Sequence, residues 1–106
     1  MDAKKFFSEE IPKRASQPGA QDRLKGMNAT YKFQIDGAGT WIVTIKDGSL
    51  TVTEGDGQAQ CTVIMKAEDF DQLTDGKLNP QMAFMSGKLK IQGDMGLAMK
   101  LGQLLR

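Results

Sequence analysis

Few side chains in this chain suit bond-making chemistry, and their spacing argues against most of it. There is no His among the 106 residues. That removes the commonest general base, the Ser–His and Cys–His nucleophile pairs and the usual zinc ligand sets. Cys61 stands at an inward position of an alternating run with no base or cation beside it in sequence, the setting of a buried, inert thiol. Glu68, Asp69, Asp71 and Asp75 follow helical spacing opposite Phe70 and fit no calcium loop, so they read as a solvated face. Glu9 and Glu10 are neighbours that point apart on a helix. Gly37-Ala38-Gly39 and Gly55-Asp56-Gly57 lack the third glycine and helix start of a dinucleotide loop and read as turns. Gln81 is of another kind. It follows Asn79-Pro80 among Met82, Phe84 and Met85; its amide reads as bonded to nearby backbone or exposed to solvent, and if buried it calls for a partner, since burying it unpaired costs about 1–3 kcal/mol.

The elements that must position these residues follow from periodicity. Asp2 to about Gln17 reads as a helix capped by Asp2, with Phe6, Phe7, Ile11 and Ala15 on one side. Pro12 is expected to kink or divide it, since it lacks an N–H. Pro18-Gly19 is a break, and Gln21 to Gly26 reads as a further helical turn. From Asn28 to Thr53 the period becomes two. Tyr31, Phe33 and Ile35 form one run, Trp41, Val43 and Ile45 the next, and Leu50 and Val52 a third. Asp36-Gly37 and Asp47-Gly48 join them as an antiparallel meander. Cys61, Val63 and Met65 mark a fourth strand, and Glu68 to Thr74 a short helix. Asn79 and Pro80 open another helix, Lys88 to Gln92 makes a fifth strand, and Asp94 caps a last helix to the C-terminus. The pattern is one α+β domain over residues 1–106.

Composition sets the class. Lys and Arg number 14 against 13 Asp and Glu, a net charge of +1 that does not suit a nucleic-acid binder. The 23 Leu, Ile, Val and Phe residues are enough for a core. No apolar run approaches the roughly 20 residues of a membrane span, and the acidic, lysine-bearing start is no signal peptide. With one Cys, the expected setting is a reducing, cytoplasmic one.

The last helix is more apolar than a sheet can use. From Met95, its Leu, Ala, Gly and Met positions span about 220° of arc against the roughly 100° of an ordinary surface helix. The remainder must face the first helix, a partner chain or a bound apolar molecule. Met65, Met82, Met85, Met95 and Met99 gather in the second half, and methionine suits surfaces that fit variable apolar shapes as well as irregular cores. Charge is uneven: residues 1–35 carry +3, residues 36–75 carry −6, and residues 76–106 carry +4. A basic rim beside an apolar surface suits anionic head groups or a membrane surface, and equally an ordinary solvated face.

The stretch from Gly76 to Met95, GKLNPQMAFMSGKLKIQGDM, closely resembles the signature of the sterol carrier protein type-2 (SCP-2) family of lipid-transfer domains. Upstream, Gly39-Thr40-Trp41 followed by Val43, Ile45 and Lys46 is similar to that family's second strand. Ala59 to Met65 followed by Glu68-Asp69-Phe70 is similar to its fourth strand and next helix. The resemblance implies a five-stranded, largely antiparallel sheet with helices covering one face. A hydrophobic tunnel between them would hold fatty acids, fatty acyl-coenzyme A, sterols or other apolar ligands, with no catalysis, metal or cofactor.

On this resemblance the ligand-binding residues are Phe33, Val43, Val63, Met65, Leu89 and Ile91 from the sheet, with Gln81, Met82, Met85, Met95 and Met99 from the helices. Gln81 would meet the ligand's polar part. Met99 stands where some members have a polar residue, which weakens any second polar contact. The C-terminal Gln103-Leu104-Leu105-Arg106 lacks a peroxisomal Ser-Lys-Leu signal. The expected partners are a small lipid and, transiently, a membrane surface; no nucleic acid is expected, and the chain would be a monomer or weak homodimer. The alternative is a protein-interaction or accessory module that docks or dimerises through the apolar C-terminal helix.

Overall fold

The computed structural model describes residues 2–17, 19, 26 and 28–100. The expected helical turn over residues 21–25 and the last helix beyond Lys100 lie outside the described residues.

Helix α1 comprises α-helical Ala3–Lys5, π-helical Phe6–Glu10 and α-helical Ile11–Ala15. Asp2 caps it, its carboxylate accepting from the N–H groups of Lys4 and Lys5 at 2.8 and 3.4 Å. Of the two outcomes expected at Pro12, a kink or a division, the helix is not divided, and its ladder changes just before the proline. The turn before it is widened, so that the Ile11 N–H donates to the Phe6 carbonyl five residues back. The shift in the ladder accommodates the N–H that proline lacks.

Five strands follow: β1 Ala29–Asp36, β2 Gly39–Lys46, β3 Ser49–Glu54, β4 Cys61–Lys66 and β5 Leu89–Gly93. Their order across the sheet is β3-β2-β1-β4-β5. All neighbours are antiparallel except β1 and β4, which run parallel. The β2–β3 turn places Asp47 and Gly48 at φ 51° and 82°, the pair of left-handed residues that a tight hairpin matched to strand twist requires.

Parallel pairing of β1 with β4 needs a crossing connection, and residues 55–60 supply it over the outer face of the sheet. There Asp56 accepts from the Lys32 ammonium at 3.0 Å, Gly57 lies over Ile42, and Gln60 accepts from the Thr30 N–H through its side chain at 3.1 Å. The loop also explains Ile42, the apolar residue on the otherwise polar outward side of β2.

On the inner face, alternation buries Tyr31, Phe33 and Ile35 of β1, Trp41, Val43 and Ile45 of β2, and Cys61, Val63 and Met65 of β4. Helix α1 covers them with Phe6 and Phe7. The Phe7 ring stacks on Trp41 at 4.9 Å between centroids and meets Phe33 at 5.0 Å. Helix α2, Ala67–Thr74, adds Phe70, which stands 5.4 Å from both Phe6 and Phe7. Such ring pairs contribute about 0.5–1.5 kcal/mol each beyond the area they bury. Of the acids expected on a solvated face of α2, Glu68 and Asp75 are exposed, whereas Asp69 is mostly buried in its first turn.

Two short helices complete the described chain. Helix α3, Pro80–Met85, starts as the sequence indicates: the Asn79 side chain accepts from the Gln81 N–H at 2.8 Å, and Pro80 holds the first position. Helix α4, Met95–Met99, is capped by Asp94, whose carboxylate accepts from Gly96 and Leu97 at 2.8 and 3.2 Å. All the described helices lie on the inner face.

Candidate functional site

Both α3 and α4 pack on the edge strand β5, but each is anchored by small or few side chains. Ala83 is the buried residue of α3. Leu97 and Ala98 pack half-buried from α4, and the Tyr31 hydroxyl donates to the Leu97 carbonyl at 2.8 Å. A helix that turns a narrow stripe inward leaves its other apolar residues outside. Met82 is 65% exposed, Phe84 46%, Met85 78%, Met95 49% and Met99 86%. Scattered exposed apolar residues are ordinary, but five large ones on two helices that share one strand are not.

The sequence-derived site residues fall into two groups. Phe33, Val43, Val63, Met65 and Leu89 belong to the closed core, with Ile91 half-buried at its margin on β5. Met82, Met85, Met95 and Met99 stand exposed on the two helices beside β5. The structure thus brings the four methionines to one edge of the sheet, while Val43 on β2 lies three strands away from β5. Gln81 is exposed at the start of α3, on the helix that carries Met82 and Met85. Sequence reasoning left Phe84 out of the site. Its signal was available: once the small Ala83 is taken as the inward residue of a six-residue helix, both of its neighbours must lean outward.

A groove of about 280 Å³ opens beside the foot of α3, lined by Arg14, Leu73, Thr74, Gly76, Leu78, Asn79 and Pro80. Arg14 reaches it from the end of α1. Its Nε donates to Glu10 at 2.9 Å and its guanidinium lies over the Phe6 ring at 5.3 Å, but its buried Nη1 donates to nothing among the described residues. A guanidinium N–H without an acceptor is complementary to a carboxylate or phosphate oxygen. Arg14 was not singled out from the sequence, because its place at the groove depends on the approach of the first helix to the segment that joins α2 and α3.

Two titratable groups on the inner face, Tyr31 and Cys61, are held toward their protonated forms. Burial pushes the Tyr31 phenol up to about 12, with Cys61 and Asp94 adding to the shift. Burial, then Asp94, also raises the Cys61 thiol, so it stays protonated and unreactive near neutral pH. Among the described residues no three His, Cys, Asp or Glu side chains gather to hold a metal, and no helix is long and apolar enough to cross a membrane.

The model of the SCP-2 sterol transfer family matches residues 9–106. Human sterol carrier protein 2 is 45% identical over 101 residues, covering 90% of this chain and 18% of that protein. Hydroxysteroid dehydrogenase-like protein 2 of Bos taurus is 42% identical over 90 residues, covering 81% of this chain and 22% of that protein. The chain therefore spans about a fifth of the length of these curated relatives. The solution structure of the sterol carrier protein domain 2 of Helicoverpa armigera superposes with a TM-score of 0.75 at 37% sequence identity, over 99% of this chain and 87% of that one. With the family match running from within α1 through the edge formed by α3, β5 and α4, the chain belongs to the SCP-2 sterol transfer family.

Proposed function

We propose that this chain binds a lipid non-covalently and carries it, with no chemical step of its own. The observation that carries this reading is the set of exposed Met82, Phe84, Met85, Met95 and Met99 on two helices that share β5. An apolar ligand would supply the partner that the fold leaves out, and flexible methionine side chains accommodate ligands of differing shape. The class of ligand is a fatty acid, a fatty acyl thioester or a sterol-like molecule. An acidic head group would find the partly exposed guanidinium of Arg14 at the groove beside the foot of α3, and Gln81 offers an amide nearby in the chain. A lining of Met, Leu and Ile selects for volume and polarity more than for stereochemistry.

Magnitudes are consistent with a reversible carrier. Burying a chain of about 16 carbons at about 0.8 kcal/mol per CH₂ gives near 13 kcal/mol gross. Immobilising ligand and side chains costs several kcal/mol. About 7–10 kcal/mol remains, a dissociation constant of micromolar order or somewhat below.

Titration of the delipidated protein with a fluorescent fatty acid tests the reading. Saturable binding in that range is the expected result, and no saturation up to about 100 μM overturns it. Arg14→Gln should weaken palmitate by about tenfold while leaving hexadecanol unchanged, because the charge-assisted bond is worth roughly 1.5–3 kcal/mol. Equal losses for the two ligands would place the head group elsewhere.

A further inference from the structure

The exposed methionines carry a chemistry that lipid binding does not use, since their sulfurs can be oxidised. Met82 and Met85 stand three residues apart on α3, and Met95 and Met99 four apart on α4, so each pair shares one side of its helix. Their exposure runs from 49% at Met95 to 86% at Met99. The sulfurs of β4 are shut away: Cys61 is wholly buried and Met65 is 2% exposed. Cys61 is also held as the thiol by burial and by Asp94, whereas peroxides react with the thiolate. A thioether needs no ionisation to react. Among the described residues, the sulfur open to a small oxidant is therefore gathered on the α3–β5–α4 edge, and the sulfur of the core is not.

We infer that Met82, Met85, Met95 and Met99 form a reversible oxidation site, at which hydrogen peroxide turns the lipid-binding edge from apolar to polar and releases the bound lipid. The peroxide O–O bond breaks as one oxygen joins the thioether sulfur, and the other oxygen leaves as water with both protons. The sulfur is oxidised by two electrons and the peroxide is reduced by two. A methionine sulfoxide reductase restores the thioether: two thiols become a disulfide and the oxygen leaves as water. The change acts on binding because a sulfoxide oxygen is a strong acceptor where the thioether sulfur is a weak one. An acyl chain offers it no donor, so a sulfoxide laid against the ligand is left unpaired. The fold is spared because none of the four belongs to the buried core, whose one methionine is Met65.

The inference rests on the carrier reading, because it acts through the side chains assigned to the ligand, and the two can fail apart. The delipidated protein is treated with graded hydrogen peroxide, its sulfoxides are located by peptide mass spectrometry, and a fluorescent fatty acid is titrated before and after. Met99 and Met85 should oxidise first, then Met82 and Met95, with Met65 still reduced and the melting temperature within about 4 °C of the untreated protein. Fatty-acid affinity should fall at least about fivefold and return after treatment with the reductases for both sulfoxide epimers. Saturating palmitate should slow oxidation of the four. Met82→Leu/Met85→Leu/Met95→Leu/Met99→Leu, compared only with itself, should change less than about twofold in affinity on the same treatment. Oxidation of Met65 in step with the four overturns the inference, as does an equal loss of affinity in the quadruple variant. Full conversion of the four to sulfoxides with affinity unchanged overturns the switch and leaves the carrier standing. Untreated protein that binds no fatty acid overturns the carrier reading, and the release with it.

Discussion

Helices α1 and α3 each carry two adjacent large apolar residues on the inner side of the sheet, Phe6-Phe7 in one and Phe84-Met85 in the other. The first pair is fully buried and the second is largely exposed. Neighbours in a helix point about 100° apart, so burying both requires receivers on two sides. Helix α1 has them: Phe70 takes Phe6, while Phe33 and Trp41 take Phe7. Helix α3 is anchored through the small Ala83, and the residues on either side of it find no such receiver. The difference teaches that apolar character alone does not assign a residue to the core. Rigid interlocking rings close one region, and among the described residues the flexible thioethers of the other stay exposed.

The sharpest test of this contrast sets a ring against a thioether. Phe7→Ala should remove about 3–5 kcal/mol of stability, since it empties a site bounded by four other rings. Met99→Lys should stay within about 0.5 kcal/mol of wild type in chemical denaturation, because its side chain is already in solvent, yet it should weaken fatty-acid binding markedly. The contrast breaks if the two variants lose stability equally, or if Met99→Lys binds lipid normally.

A smaller effect concerns the link between the regions. The Tyr31 hydroxyl is held by the Leu97 carbonyl, and its removal in Tyr31→Phe should cost about 0.5–1.5 kcal/mol. It should also change the alkaline limb of stability. The folded chain holds the phenolic proton to about pH 12, whereas an unfolded tyrosine releases it near 10. The proton-linked stabilisation is therefore complete below pH 10 and is lost as pH rises from 10 through 12. Thermal melts across that window should show a flatter decline for Tyr31→Phe, and parallel curves would rule the linkage out.

The smallest expected change is at Gln81. It is exposed, and Gln81→Leu should leave stability unaltered. A head group that bonds to the amide should bind about threefold more weakly, while a plain hydrocarbon probe is unaffected or slightly favoured. Equal changes for both probes would mean that Gln81 shapes the surface without reading the ligand.

Much of this arrangement is legible in the sequence because it is local. Alternation at Tyr31, Phe33 and Ile35, the Asp47-Gly48 turn and the caps Asp2, Asn79 and Asp94 all appear where periodicity and capping place them. The widened turn before Pro12 was not legible, since a missing N–H says that the ladder must change and does not say how. Nor was the division of the apolar residues. Phe33, Val63 and Met85 look alike in a pattern, and only the contacts of Phe7 and Ala83 reveal which of them are covered. The place of Arg14 depends in the same way on the approach of α1 to the α2–α3 connection.

The parallel pairing of β1 with β4 has a consequence for the growing chain on the ribosome. When β1 to β3 have emerged, they can already form their meander, but β1 is then an edge, displaying unpaired backbone beside Tyr31, Phe33 and Ile35. The strand that closes it ends at Lys66, 12 residues after β3 ends at Glu54. At about 5–20 residues per second of synthesis the gap lasts roughly 0.6–2.4 s. Through that interval the nascent sheet has its most adhesive strand uncovered, and a chain halted before Cys61 would keep it so indefinitely.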